Sequence, residues 1–362
     1  MRLLRIRRTA RIRHHTIALR NAQQFNRRLR AGFLADYRLE IGDRFVTQVE
    51  PFRNVVERLP IHQQAHDLEF ARRQPVQALE KLRVGKAVPE AFSFAPLEIG
   101  MKKGFFAKHG LEIESIAFQG DARMQQAAAA DSIDVLLGSG PAMAFVAKGA
   151  PIKGVAAMAG PPLLLAIVVG PNGPKTVEEL KGKKISVSTA GSLTYWLVSE
   201  TSRRHGWGPN GIAIQPMGAL PGQLAAIKRG DIDGTIMDIG SAFDMEKRGE
   251  GRILVRYGDI KDFHIHVIFA TDKMIAGKPD QLRAFLKGWF ETIAFMRRNK
   301  DETVAIAMEV TGKDKEITSR VYDELMPMFS DTGKFDPAAL ATLRKSYVEL
   351  NLLPTEPDMS KL

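Results

Sequence analysis

From Leu82 onward, short apolar runs of strand length alternate with stretches whose apolar residues recur at helical spacing, and Gly, Pro or Asn turns separate them. Residues 82–87 read as a buried strand and 96–109 as a helix closed by Gly110. A strand over 111–118, a helix over 121–130, a strand over 133–137 and a helix over 141–148 stopped by Gly149 follow. Two further strands cover 152–157 and 163–169. Such β-α-β alternation predicts a mainly parallel sheet with helices on both faces.

The pattern restarts after the turn Pro171-Asn172-Gly173-Pro174. Thr176 and Glu179 have the spacing of a capping box, and a strand over 184–188 comes next. Ser192 caps a helix to about residue 204; a strand over 213–217, a helix over 221–229 and a strand over 232–237 continue the alternation. A helix over 242–248, a strand over 253–257 and an apolar strand over 264–270 complete it. Residues 274–353 read as three or so amphipathic helices. The fold class is α/β: one lobe begun, a second built, and a helical C-terminal part.

Two stretches about 100 residues apart share a design. Ile133-Asp134 leads through an apolar strand to Gly138-Ser139-Gly140, and Ile232-Asp233 leads through another to Asp238-Ile239-Gly240-Ser241. A single sequence can produce such an echo by chance, but two lobes of similar build is the reading it favours.

Residues 1–80 differ from everything downstream. They hold 16 Arg, no Lys and 8 acidic residues, so +8 of the chain's formal +11 resides there and only +3 in the rest. No sustained period of 2 or 3.6 is present, which predicts an Arg-rich extension that is poorly ordered. Its basic start is not followed by the apolar stretch of a secretory signal, so no leader is recognisable. An arm for nucleic acid or acidic lipid, a small helical domain and a non-functional extension are the readings of this segment, and the last fits best. No run approaches the roughly 18 apolar residues of a membrane span. The absence of cysteine excludes disulfides, thiolate metal sites and cysteine nucleophiles.

Parallel strands deliver their C-terminal ends, and the unpaired N–H groups of the helices that follow, to one edge of the sheet, where a small anion or polar oxygen is stabilised. Two such edges facing each other make a cleft. The turns that would line it carry Ser93 and Phe94, Ser139 and Gly140, Ser188, Thr189 and Ser192, and Asp238. Glycine lets backbone N–H groups approach, and Ser and Thr add short donors. Ser192, Gly140 and Ser241 are equally ordinary helix caps, Asp238 suits a ligand nitrogen or a cap, and Phe94, Tyr195 and Trp196 suit stacking or core.

At this point the residues carry a resemblance. Leu82-Arg83-Val84-Gly85, then Pro96 to Phe106 with Gly100 and Gly104, then His109-Gly110-Leu111-Glu112-Ile113 resemble the opening of ABC-transporter substrate-binding proteins of the nitrate, sulfonate and taurine class, which includes a THI5-like, thiamine-precursor-binding group. Thr176 to Val187 followed by Gly191-Ser192, and Gly230-Asp231-Ile232-Asp233, are similar to that family's second lobe. The likeness spans residues 82 to 330. It implies a type II periplasmic binding protein: two lobes on a hinge, lobe 1 from 81–169 plus 264–362 and lobe 2 from 170–263, with the chain crossing near 169–174 and 262–264. It also implies a periplasmic monomer without cofactor, which captures a small anionic or polar organic molecule and hands it to an ABC permease. Ser93, Phe94, Ser139, Gly140, Ser188, Thr189, Ser192 and Asp238 become the ligand-binding set, and Asp238→Ala and Ser192→Ala are expected to weaken binding at unchanged stability.

Rival classes fare less well. The cysteine-rich iron motif of yeast-type THI5 enzymes is absent, as are a Gly-x-Ser-x-Gly elbow and a Walker loop. Gly138-Ser139-Gly140 is half a dinucleotide fingerprint, with Met143 where the third Gly belongs. His264 and His266 share a strand face and could begin a zinc site, yet no third ligand stands at a telling spacing. A ligand-responsive regulator would need a helix-turn-helix in residues 1–80, whose pattern lacks one, so no nucleic-acid partner is expected.

Overall fold

The computed structural model describes residues 78–362, apart from Leu164. The expectation for the Arg-rich extension therefore falls almost wholly outside the described residues; Glu80 already belongs to the first strand.

Ten strands form two five-stranded sheets. The first contains β1 (Glu80–Lys86), β2 (Leu111–Ala117), β3 (Val135–Ser139), β4 (Ile152–Ala159) and the late strand β10 (His266–Thr271), in the order β2-β1-β3-β10-β4. The second contains β5 (Leu165–Val169), β6 (Lys184–Val187), β7 (Ala213–Pro216), β8 (Gly234–Asp238) and β9 (Arg252–Arg256), in the order β7-β6-β8-β5-β9. In the first sheet β10 pairs antiparallel with both β3 and β4, while β1 pairs parallel with β2 and β3. In the second, β5 pairs antiparallel with β8 and β9, while β6 pairs parallel with β7 and β8. Each sheet thus has four strands running one way and one running back, and the reversed strand is the first to follow a crossing between sheets.

That pairing corrects the expected boundary. Residues 165–169 belong to the second sheet, so the chain leaves lobe 1 within 160–164 instead of at 169–174. An all-apolar strand buries both faces in either sheet, and its composition does not say which. The return crossing lies between Arg256 at the end of β9 and His266 at the start of β10.

The echoed Ile-Asp steps do the same work in both lobes. Asp134 Oδ2 accepts the Arg83 amide at 3.1 Å ahead of β3, and Asp233 Oδ2 accepts the Lys184 amide at 2.8 Å ahead of β8. Each carboxylate extends a parallel ladder by one bond. The strands they introduce occupy equivalent central positions, which favours two lobes of similar build over chance.

Helices complete the layers. Around the first sheet lie α1 (Ala95–Lys102), α2 (Phe105–Lys108), α3 (Asp121–Ala129) and α4 (Met143–Ala147). The second sheet is accompanied by α5 (Leu193–Arg204), α6 (Leu220–Arg229) and α7 (Ile239–Lys247). After β10 come α8 (Asp272–Gly277), α9 (Pro279–Arg298), α10 (Lys300–Thr311), α11 (Lys315–Leu325) and α12 (Pro337–Glu349). The long amphipathic α9 packs on α1 and α2, with Phe106 and Phe285 stacked at 5.3 Å beside fully buried Trp289. The last two helices reach the second lobe. Val321 of α11 lies against Gly240 of α7, Arg256 bonds Glu324 at 2.7 Å, and Trp196 of α5 donates to Ser346 of α12 at 2.8 Å. Among the described residues no helix is long and apolar enough to cross a membrane.

Candidate functional site

Six parallel-running strands, three from each sheet, end at the space between the lobes. The loops after β1, β2 and β3 enter it from one side and those after β6, β7 and β8 from the other. Leu165 and His266, at the starts of the two reversed strands, form part of its floor. The result is a cavity of about 500 Å³, within the range of small-molecule sites. Its walls are chiefly apolar, with Phe94, Phe118, Leu165, Leu193, Leu224 and Ile236 prominent.

Of the eight expected ligand-contacting residues, Ser93, Phe94, Ser139, Ser188, Ser192 and Asp238 line this cavity. Gly140 and Thr189 do not. Gly140 is a packing residue: a Cβ there would stand 1.9 Å from the His264 carbonyl oxygen, and its own carbonyl accepts from Tyr347 Oη at 3.0 Å. Thr189 sits where the lobes touch. Its hydroxyl accepts the Ala122 amide at 3.4 Å, and its side chain fills the space that a Cβ on Gly120 would need. Phe94 packs its ring against His266 at 4.8 Å, and Trp196 is core, not wall.

The polar groups are arranged by the helix starts. Asp238 precedes α7, and its Oδ1 accepts the Ser241 amide at 3.0 Å. Ser192 precedes α5; its hydroxyl accepts the Tyr195 amide, donates to the Thr189 carbonyl at 2.7 Å and meets the Thr194 hydroxyl at 2.9 Å. Both residues are therefore structural caps as well as wall residues, so truncating them to Ala costs stability, contrary to the expectation from sequence.

Residues that sequence reasoning missed supply most of the site's charge. Asp121, fully enclosed at the first turn of α3, accepts the Ser139 amide at 3.0 Å and the Ser139 hydroxyl at 2.9 Å. Burial holds its carboxyl above the usual carboxylate range despite those bonds. Glu90, in the loop after β1, is likewise pushed up, first by burial and also by the facing charge of Asp238. Lys313 reaches the wall from the segment before α11 and is already within 3.4 Å of Asp244. Burial pushes the His266 imidazole down to about 4, so the ring is neutral at pH 7. His264 turns to another partner, accepting the Asp336 amide at Nε2 over 2.9 Å. The two histidines thus serve different neighbourhoods, and no group of three or more metal-ligating side chains occurs among the described residues.

Sequence comparison matches residues 91–303 to the NMT1/THI5-like family. The chain belongs to that family. This NMT1/THI5-like protein is also 33% identical over 98 residues to a putative thiamine biosynthesis protein of Haemophilus influenzae, a match covering 27% of this chain and 31% of that one. The chain thus spans about a third of the length of the curated relative it matches. Among solved structures, the alkanesulfonate-binding protein SsuA of Xanthomonas axonopodis pv. citri bound to MOPS superposes with a TM-score of 0.67 at 15% identity, over 77% of this chain and 95% of that one. The periplasmic nitrate-binding protein NrtA of Synechocystis PCC 6803 gives 0.63 at 16% identity, over 78% and 84%. The desulfurization enzyme DSZB gives 0.53 at 14% identity, over 78% and 95%. The family member described here has the periplasmic-binding-protein fold.

Proposed function

We propose that this protein is the solute-binding component of an ABC importer. It acts as a monomer outside the cytoplasmic membrane, closes its lobes over one small polar organic molecule and delivers it to the permease. The observation that carries this reading is the cavity between the lobes, walled by strand ends from both sheets, so that one guest touches both halves. A guest in such a position binds the closed arrangement better than an open one and shifts the population toward it. The solutes named for SsuA and NrtA support the class of role. Ser93, Phe94, Ser139, Ser188, Ser192 and Asp238 are proposed as ligand contacts, joined by Glu90, Asp121 and His266.

The cysteine-free chain offers a direct test. Arg123→Cys and Ala190→Cys place one label on each lobe beside the contact of Thr189 with Gly120. A solute found by thermal-shift screening is expected to raise energy transfer between the labels, and at 100 times its Kd to add about 2.7 kcal/mol of stability. A solute that stabilises the protein without moving the labels would overturn the closing-cleft reading. An enzyme is the second reading, favoured by the shared fold of DSZB; chemical change of the bound solute on prolonged incubation would select it.

A further inference from the structure

The charge of the cavity wall is opposite to what an anion needs. Two carboxyl groups, Glu90 and Asp238, and a third, Asp121, whose oxygens are taken up by Ser139, line the cavity against one ammonium, Lys313, and among the described residues no arginine lines it. The ammonium is partly spent on Asp244. The helix starts do not restore a positive field everywhere, because Asp121 occupies the first turn of α3 and Asp238 caps α7. Two enclosed polar groups in the wall also lack a protein partner: Ser241 Oγ, in a residue 4% exposed, and His266 Nδ1, in a residue 7% exposed. A neutral imidazole offers one donor and one acceptor nitrogen, so a polar group on a guest can pair with it in either tautomer. Between these groups the wall is aromatic and aliphatic, and about 500 Å³ is far more room than a nitrate-sized ion requires.

Resting on the reading of the cleft as a solute site, we propose that its guest is an organic cation: a protonated amine or amidine carried on a flat apolar body. The cationic nitrogen lies between Glu90 on the first lobe and Asp238 on the second. The body lies against Phe94, Phe118 and Ile236. The uncapped start of α6 can still donate to an acceptor on the same molecule, so hydrogen-bond acceptors on the guest are accommodated. A permanently charged sulfonate would instead bring a third negative charge to the Glu90 and Asp238 pair, in a site whose enclosure strengthens the repulsion. The Glu90 carboxyl is raised by burial first and by the charge of Asp238, against the opposing pull of its own backbone N–H, Lys313 and Lys86.

The test compares probes of one shape and different charge on the full chain. Benzamidinium, benzamide and benzenesulfonate are titrated by calorimetry at pH 7.5, with the labelled rim pair as the second readout. Benzamidinium is expected to bind at least tenfold more tightly than either other probe and to close the lobes. Glu90→Gln and Asp238→Asn are each expected to weaken it tenfold or more, and both retain shape and, for Asn, the helix cap. Tighter binding of benzenesulfonate, with lobe closure, overturns the cation assignment and leaves the solute-site reading standing. Binding of benzamidinium that neither substitution affects overturns the assignment too. Failure of all three probes to bind or to close the lobes overturns the assignment, and failure of the screened solutes as well overturns the cleft reading beneath it.

Discussion

His266 shows how a single residue takes its properties from distant pairing. It stands opposite Ser139 in the antiparallel register of β10 on β3, which sets the imidazole beside Phe94 in the cavity floor and leaves little of it exposed. Its folded pKa of about 4 lies below the ordinary value of 6.5, so between those values the unfolded chain binds a proton that the native protein does not. Stability from this residue is complete above pH 6.5 and is lost as pH falls toward 4, by about 3 kcal/mol. Urea unfolding at pH 7 and pH 4.5 should show a drop in wild type that His266→Gln reduces by most of that amount. Nothing local marks His266 for this position. Ser192 and Asp238 were legible because a cap is a local device, read from one turn of sequence. Gly140 was misread for the opposite reason: its missing Cβ makes room for the His264 carbonyl, a neighbour brought by tertiary structure, not for a ligand. Glu90 and Asp121 sit in ordinary turn and helix-start contexts on the first lobe, and only the arrival of the second lobe makes them the wall of a cavity.

At the level of elements, the presence of helices was legible but not their breaks: the three or so expected over 274–353 are five, and the one expected over 96–109 is two, divided at Lys103-Gly104; strand partners were less legible still. The strand and helix alternation from β1 to β4 followed the sequence pattern closely, because helix spacing and Gly stops are written within each segment. The apolar run of β5 carried no such mark of allegiance, and it joined the sheet on the far side of the crossing. The start of α7 gives a test at this scale. Asp238→Ala removes the carboxylate that accepts the Ser241 amide, which costs about 1 kcal/mol and lowers Tm by about 2–4 °C. Asp238→Asn keeps the cap and should leave Tm within a degree of wild type. Calorimetry of the two variants therefore separates the helix-capping role from the ligand-facing one, which Asn impairs and capping does not explain.

For the whole molecule, the two sheets are the same design used twice: β1, β2, β3, β10 and β4 correspond in order to β6, β7, β8, β5 and β9. The sequence disclosed this through the paired Ile-Asp steps at β3 and β8 and nowhere else, since the remaining equivalences rest on strand order, which no local pattern encodes. The same layout fixes a sequence of events during synthesis. Lobe 2 draws all five of its strands from the contiguous stretch 165–256, whereas lobe 1 has β3 and β4 separated by a gap until β10 arrives. As the chain emerges from the ribosome, the inserted lobe is complete while its host still holds an open slot between two strands. Pulse-labelled hydrogen exchange during refolding should accordingly protect the amides of β5 and β8 before those of β4, because local pairings close ahead of distant ones.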